Sequence, residues 1–276
     1  MTLPRFLCIG AQKAGTSWLN EQLQGHPDIW MPPIKELHFF DHLYGRDTSR
    51  WSRWHLRMGA LNAIKWHLES AGPSSLKFIR YVTGIHLNDP FTEEWYRYVF
   101  SWHKAEGKVT GEITPEYCTI SLEGIGYLKS LLPGVKLIYI IRDPLSRALS
   151  QLRMNYQRGK LRDDSEAAWL EAARDPVLVH RGAYSQYVPR WLKTFGADDI
   201  IFIPYRRLRD DPEGVLADIE RHIGVSPHSY PNARAIVHET TKVPVPDSAV
   251  AMLRELVDAD ARFIATEFGS EFAAMT

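Results

Sequence analysis

Residues 10–17, GAQKAGTS, combine residue types that can bind a phosphate group. The two glycines, five positions apart, allow the backbone to curl so that several N–H groups point at one anion. A predicted helix follows, and the N-terminus of a helix favours negative charge. Thr16 stands where the nucleoside-triphosphate pattern G-x-x-x-x-G-K-[ST] has lysine, and Lys13 lies inside the loop instead. The segment therefore predicts a phosphate site that is not typical of ATP or GTP, with a strand–helix turn of no function as the alternative.

A second candidate anion site lies in KLIYIIRDPLSRALS, residues 136–150. The apolar run predicts a buried strand that ends before Arg142, and Asp143-Pro144 favours the start of a helix that contains Ser150. In α/β proteins the carboxyl ends of strands face the ligand crevice, and the planar guanidinium of Arg142 suits a phosphate. An ion pair of Arg142 with Asp143 or with another carboxylate is the alternative.

A third segment, KELHFFD at residues 35–41, contains acid–base groups. Glu36 is a candidate general base, and His38 is a rival because its ordinary pKa lies near neutrality. Taken alone, Glu36 better fits a solvated carboxylate paired with Lys35, and the alternative for His38 is a half-buried ring bonded to a backbone carbonyl.

These three segments resemble motifs of the sulfotransferases that use 3′-phosphoadenosine 5′-phosphosulfate (PAPS), especially the heparan sulfate branch and its bacterial relatives. Those enzymes have G-x-x-K-[AGSC]-G-T-[ST]-x-L, then K-E-x-H-F-F-D, and later R-[DN]-P-x-x-R-x-x-S. This sequence matches them at residues 10–19, 35–41 and 142–150. The resemblance extends from residue 5 to about residue 268 and is weakest over residues 42–107.

The resemblance implies how the donor is bound. In the family the loop binds the 5′-phosphosulfate, its lysine contacts the transferring group, and the later arginine and serine bind the 3′-phosphate. A basic loop that closes over the nucleotide is matched only loosely at residues 240–244. The implied donor ligands are Lys13, Ala14, Gly15, Thr16, Ser17, Arg142, Ser150 and Lys242.

The resemblance also implies catalytic and acceptor-binding groups. Glu36 is the implied general base, with Lys13 and His38 as further catalytic residues, and the implied acceptor-site residues are Lys35, Asp41 and Glu112. Glu112 belongs to GEITPEY, residues 111–117, which resembles the family's G-E-K-T-P-x-Y. Ile113 replaces a lysine there, which argues against a polyanionic sugar acceptor.

The predicted reaction is direct in-line transfer of a sulfuryl group to a hydroxyl or amine, without a metal ion. The sequence has no clustered Cys/His ligand set and no strand ending in a magnesium-binding carboxylate. A P-loop small-molecule kinase and a non-catalytic nucleotide-binding module are the rival hypotheses. Aromatic residues in the 42–107 segment favour a small, lipid-like or sugar acceptor if they line the crevice, although rings at helical spacing are also typical of a core.

Strand-like apolar runs alternate with helical segments along the chain, which predicts a three-layer α/β P-loop fold with a central parallel sheet. We expect a single domain over residues 1–276 with a helical insertion at about 42–107. Strands are expected at residues 5–10, 109–113, 136–141 and 200–205, with shorter apolar pieces at 28–31 and 38–40. Helices are expected at residues 15–24, 51–71, 91–105, 122–132, 144–158, 164–174, 184–195, 212–223 and 247–268.

Composition narrows the remaining function classes. The 276 residues include 33 basic and 33 acidic side chains, so the overall charge indicates neither a nucleic acid nor an anionic membrane as partner. Cys8 and Cys118 provide no disulfide framework, and no apolar run is long enough for a signal peptide or membrane span. A cytoplasmic protein is expected.

Overall fold

The computed structural model describes residues 3–45, 49–71, 76–235 and 243–276. Five parallel strands form one sheet in the order β2-β3-β1-β4-β5. The strands are β1 Phe6–Gly10, β2 Ile29–Trp30, β3 Val109–Ile113, β4 Lys136–Ile141 and β5 Ile200–Pro204. The predicted parallel sheet flanked by helices is confirmed.

Helices occupy the connections between the strands and the C-terminal part of the chain. They are α1 Thr16–Gln24, α2 Phe39–Tyr44, α3 Ser49–Ala71, α4 Leu76–Leu87, α5 Glu93–Val99, α6 Leu122–Leu131, α7 Pro144–Gln157, α8 Glu166–Ala173, α9 Pro176–His180, α10 Tyr184–Thr194, α11 Arg207–Asp210, α12 Pro212–Ile223, α13 Asp247–Phe268 and α14 Ser270–Ala274. Short 3₁₀ turns lie at His103–Ala105, Pro115–Thr119 and Ala197–Asp199.

The central strand β1 positions the site. It pairs with β3 on one side and with β4 on the other, and all five of its residues are buried. Burial on both faces explains why β1 and β4 are continuous apolar runs instead of alternating ones. Because the strands are parallel, their carboxyl ends meet at one edge of the sheet. This edge collects the 10–17 loop, Thr114 after β3 and Arg142 after β4.

Two predicted elements are wrong. The apolar piece at residues 38–40 is not a strand, since Phe39 and Phe40 begin helix α2. Both rings are fully buried, and Phe39 stacks on Tyr96 of α5. The helix expected over 91–105 ends at Val99, and a separate 3₁₀ turn follows.

Candidate functional site

The 10–17 loop adopts the conformation that its glycines allow. Gly15 precedes α1 with φ of 83°, and a Cβ there would lie 2.5 Å from a side-chain carbon of Leu208. Lys13 also has a positive φ, 68°, which is unusual for a residue with a side chain. The loop therefore leads directly into the N-terminus of α1, whose first N–H groups have no partner within the helix and suit an anion.

Arg142 holds this loop from the end of β4. Its Nη1 donates a hydrogen bond of 2.6 Å to the backbone carbonyl of Lys13, and its guanidinium lies 4.4 Å from the ring centroid of Tyr205. Its Nε is buried and has no hydrogen-bond partner among the described residues. Asp143 does not form the alternative ion pair, since its carboxylate caps α7 by accepting from the N–H of Ser146 at 2.7 Å. Arg142 thus retains a donor that an anion would satisfy.

Several cations surround the loop. Burial lowers the pKa of Lys13, and the positive charges of Arg142, Arg158, Arg147 and Lys35 lower it further. The Lys13 ammonium lies 3.7 Å from the sulfur of Met154 on α7. The positive charges around the loop repel one another, so an anion bound among them would be stabilised.

Lys35 links the loop to the KELHFFD segment. Its Nζ donates to Glu36 Oε1 at 2.7 Å and to Ser17 Oγ at 3.3 Å. The Glu36 side chain is 23% exposed, so it can meet a ligand as well as its protein partners. The structure therefore brings the candidate base beside the candidate anion loop.

Glu36 also belongs to a carboxylate–histidine–carboxylate series. His38 Nε2 lies 3.5 Å from Glu36 Oε2, and His38 Nδ1 lies 2.8 Å from Asp41 Oδ2. Glu36 and His38 both have positive φ, 64° and 55°. Such left-handed backbone at residues with side chains is concentrated at functional sites.

Glu36 and His38 each stabilise the charged form of the other. Burial alone would lower the pKa of His38, but the hydrogen bonds and charges of Asp41 and Glu36 outweigh it and raise this pKa to about 10. Burial would raise the pKa of Glu36, but His38 and Lys35 hold it well below its ordinary value. At neutral pH Glu36 is ionised and His38 is protonated, which leaves Glu36 as the proton acceptor of the pair.

Glu112 and Asp41 support the site from the core. The Glu112 carboxylate accepts hydrogen bonds from the hydroxyls of Tyr96 at 2.5 Å, Tyr117 at 3.0 Å and Thr114 at 2.8 Å. The Tyr117 hydroxyl in turn accepts from the N–H of Phe39 at the start of α2. Glu112 is 2% exposed and Asp41 is fully buried, so both carboxylates act from the core and are not accessible to an acceptor.

Sequence analysis did not identify Arg181 and His55 as site residues. Arg181 donates to Gln12 of the loop at 2.7 Å and pairs with Glu116 at 2.9 Å, which ties the loop to the turn after β3. His55 on α3 bonds to the carbonyl oxygen of Lys35 at 3.0 Å, and Trp51 stacks on it. The four-residue spacing of Trp51 and His55 was the available signal, because it places both on one helix face.

Four of the remaining predicted donor ligands lie in α1 or the turn before it and in α7. Ala14, Gly15 and Thr16 form the turn from the loop into α1, and Ser150 lies on α7 with 6% exposure. Lys242 lies outside the described residues.

One group of described residues has metal-ligand geometry. Glu36, His38 and His55 place ligand atoms within 4.8 Å of one another. A cation bound there would have to displace the Lys35 ammonium from Glu36 and the proton from His38. The trio therefore suits its present network of ion pairs better than a metal ion.

Comparison with known proteins identifies relatives. A family model described as "Sulfotransferase family" matches residues 4–229. The human heparan sulfate glucosamine 3-O-sulfotransferase 6 is 25% identical over 240 residues, which are 83% of this chain and 56% of that protein. The mouse bifunctional heparan sulfate N-deacetylase/N-sulfotransferase 4 is 26% identical over 261 residues, 87% of this chain and 24% of that protein. The chain thus spans about half or less of the length of these relatives.

A solved structure shares the fold. The sulfotransferase from Alicyclobacillus acidocaldarius superposes with a TM-score of 0.59 at 24% identity, covering 94% of this chain and 97% of that one.

Proposed function

The chain belongs to the sulfotransferase family, and from that premise we propose that it transfers a sulfuryl group from PAPS to a hydroxyl or amine of an acceptor. One observation supports this most strongly. The Lys35 ammonium bonds both to Ser17 of the anion loop and to Glu36. A donor-binding element and a proton acceptor therefore belong to one hydrogen-bonded network.

The donor would occupy the edge of the sheet. The N–H groups of residues 13–17 and the dipole of α1 would bind the 5′-phosphosulfate. Arg142, with its unsatisfied Nε, and Ser150 would bind the 3′-phosphate, and Lys242 is proposed as a further ligand. Magnesium is not required, because fixed cations already supply the compensating charge.

In the proposed reaction Glu36 removes the proton of the acceptor hydroxyl or amine. The acceptor atom forms a bond to sulfur while the bond from sulfur to the phosphate oxygen breaks. The electron pair goes to that oxygen, and 3′-phosphoadenosine 5′-phosphate (PAP) leaves with the charge. Lys13 and the N-terminus of α1 stabilise this charge as it develops. His38, held protonated by Asp41, orients Glu36.

The acceptor is proposed to be a small or lipid-like hydroxyl compound. The rings of Trp51 and His55 lie beside His38, with a centroid distance of 4.6 Å from Trp51 to His38. Ile113, at the end of β3, provides no charge for a sulfated polymer. Heparan sulfate appears in the names of the curated relatives, so a sugar acceptor is the alternative to test.

A thermal-shift assay tests the donor class. PAP should raise the melting temperature without magnesium, whereas ATP with magnesium should not. Release of PAP from PAPS on addition of acceptor hydroxyl compounds then tests transfer. Stabilisation by ATP with magnesium and none by PAP would contradict the proposal.

A further inference from the structure

Helix α3 is apolar on the face that points away from the core. Its inner face buries Ser52, Leu56 and Ala60. Apolar side chains at spacings of three, four, three and seven residues form a stripe on the opposite side. We call these residues the α3 stripe, and their exposed fractions are 45% for Trp51, 59% for Trp54, 37% for Met58, 52% for Leu61 and 46% for Leu68.

Further exposed apolar side chains lie on α3 and on helix α4, and the two helices pack together through His67 and Phe78. Trp66, Leu76 and Leu87 are 70%, 83% and 66% exposed. Among the described residues, twelve large hydrophobic side chains are exposed, and eight of them lie on these two helices. A concentration of this kind marks an interaction surface, because single exposed apolar residues are otherwise scattered.

The same two helices are strongly basic. Residues 49–87 contain six Lys and Arg residues and a single acidic residue, Glu69. Among the side chains that the structure describes, Arg53, Arg57, Lys65, Lys77 and Arg80 are exposed. The net charge of zero conceals this, because the rest of the chain is correspondingly acidic. The partner of the surface should therefore be both apolar and anionic.

We propose that the exposed face of α3 and α4 docks onto the surface of an anionic lipid bilayer. Tryptophan and leucine side chains would enter the boundary between headgroups and acyl chains, and the flanking arginines and lysines would meet lipid phosphates. None of the described helices is long and apolar enough to cross a membrane, so the contact is one of surface binding.

Docking would place the candidate site at the lipid surface. Trp51, at the start of the stripe, lies edge-on to His38, which is next to Glu36. An acceptor hydroxyl on an amphiphile held in the bilayer would reach the base from that side. The docking itself does not depend on which sulfuryl donor the protein uses.

Vesicle co-sedimentation tests the proposal. The full chain should bind vesicles of phosphatidylcholine and phosphatidylglycerol in equal parts, and should bind phosphatidylcholine alone much more weakly. Binding should weaken as salt rises, because the lipid charges are screened. Equal binding to both vesicle types, or binding to neither, would overturn the proposal.

Matched variants locate the surface. Leu61→Gln should weaken binding about tenfold, whereas Leu256→Gln, an equally exposed leucine on α13, should not. The double variant Arg57→Gln/Lys65→Gln should weaken binding roughly 30-fold, and Arg254→Gln on α13 should have little effect. Equal effects of the two leucine variants would assign the contact to another surface.

Two further measurements separate the alternatives. Sedimentation velocity detects a second copy as the occupant: a dimer that Leu61→Gln dissociates, without vesicle binding by the wild type, would refute membrane docking. The PAP-induced thermal shift should be the same in all of these variants and the wild type. A normal shift in a variant that no longer binds vesicles shows that folding and the donor site are intact.

Discussion

Replacement of Glu36 by glutamine tests the proposed general base with little change in shape. The amide keeps an oxygen that can accept from Lys35 Nζ, now 2.7 Å from the carboxylate, but it cannot take a proton from the acceptor. Turnover should fall about 10²-fold or more, which corresponds to roughly 2.7 kcal/mol of transition-state stabilisation.

The affinity for PAP, unlike turnover, should not fall in Glu36→Gln. The lost charge is negative, and Lys35 beside it is a cation that would attract the phosphates of the nucleotide. The Kd for PAP should therefore stay the same or decrease in Glu36→Gln. A loss of turnover without a loss of PAP affinity separates a role in proton transfer from a role in building the site.

The pH profile gives a second readout. Burial opposes ionisation of Glu36, but His38 and Lys35 outweigh it and hold its pKa below the ordinary 4.5. Glu36 is therefore ionised above that pH, and wild-type kcat/KM should fall only at more acidic pH. The Glu36→Gln variant should lack this acid limb.

Turnover is measured as PAP released from PAPS, and affinity by calorimetry. Glu93→Gln is the matched control, because Glu93 on α5 is also paired with a cation, Arg97 at 2.6 Å, and should leave both quantities unchanged. If Glu36→Gln stays active while His38→Ala abolishes turnover, histidine is the base and the assignment is wrong.

Three further predictions concern the anion site and the buried histidine. Arg142→Ala should weaken PAP binding by about 1.5–3 kcal/mol in calorimetry and should change the binding of adenosine 5′-phosphosulfate little. Equal losses for the two ligands would refute the assignment of Arg142 to the 3′-phosphate. Arg190→Ala is the control, because Arg190 also lies over a tyrosine ring. Lys13→Ala should lower turnover more than PAP affinity, because PAP lacks the transferring group, and the reverse order would make Lys13 a phosphate anchor only. The raised pKa of His38 contributes stability that is complete below pH 6.5 and is lost as pH rises towards 10, by at most about 1.4 kcal/mol per pH unit. Denaturant unfolding should show this loss in the wild type and not in His38→Gln, and parallel curves for the two would contradict it.

The sheet was predictable because its strands are distinctive in the sequence. FLCIG and KLIYII are buried on both faces, so each is a continuous apolar run next to glycine or arginine. The piece HFF was not predictable in this way, since two adjacent phenylalanines fit a strand or a helical turn equally well. Tertiary packing favours the helical turn, in which the ring of Phe39 stacks on the ring of Tyr96 with centroids 4.3 Å apart.

The site segments were predictable, but the bonds between them were not. Residues 10–17, 35–41 and 142–150 each have recognisable spacing, and the structure places their side chains around one edge of the sheet. The bond from Lys35 to Ser17 and the link from Arg181 to Gln12 join distant parts of the chain, and no local pattern encodes them. Glu112 was predicted to bind the acceptor, but in the structure its carboxylate lies in the core and accepts hydrogen bonds from three hydroxyl groups. The sequence does not show that these hydroxyls come together.

A crystal structure of the protein with PAP bound would test directly where each phosphate group of the donor lies. We expect the 5′-phosphate against the N–H groups of residues 13–17 and the 3′-phosphate against Arg142 and Ser150, with no metal ion between nucleotide and protein. A nucleotide bound away from this edge of the sheet, or bound with its two phosphate groups exchanged, would contradict it.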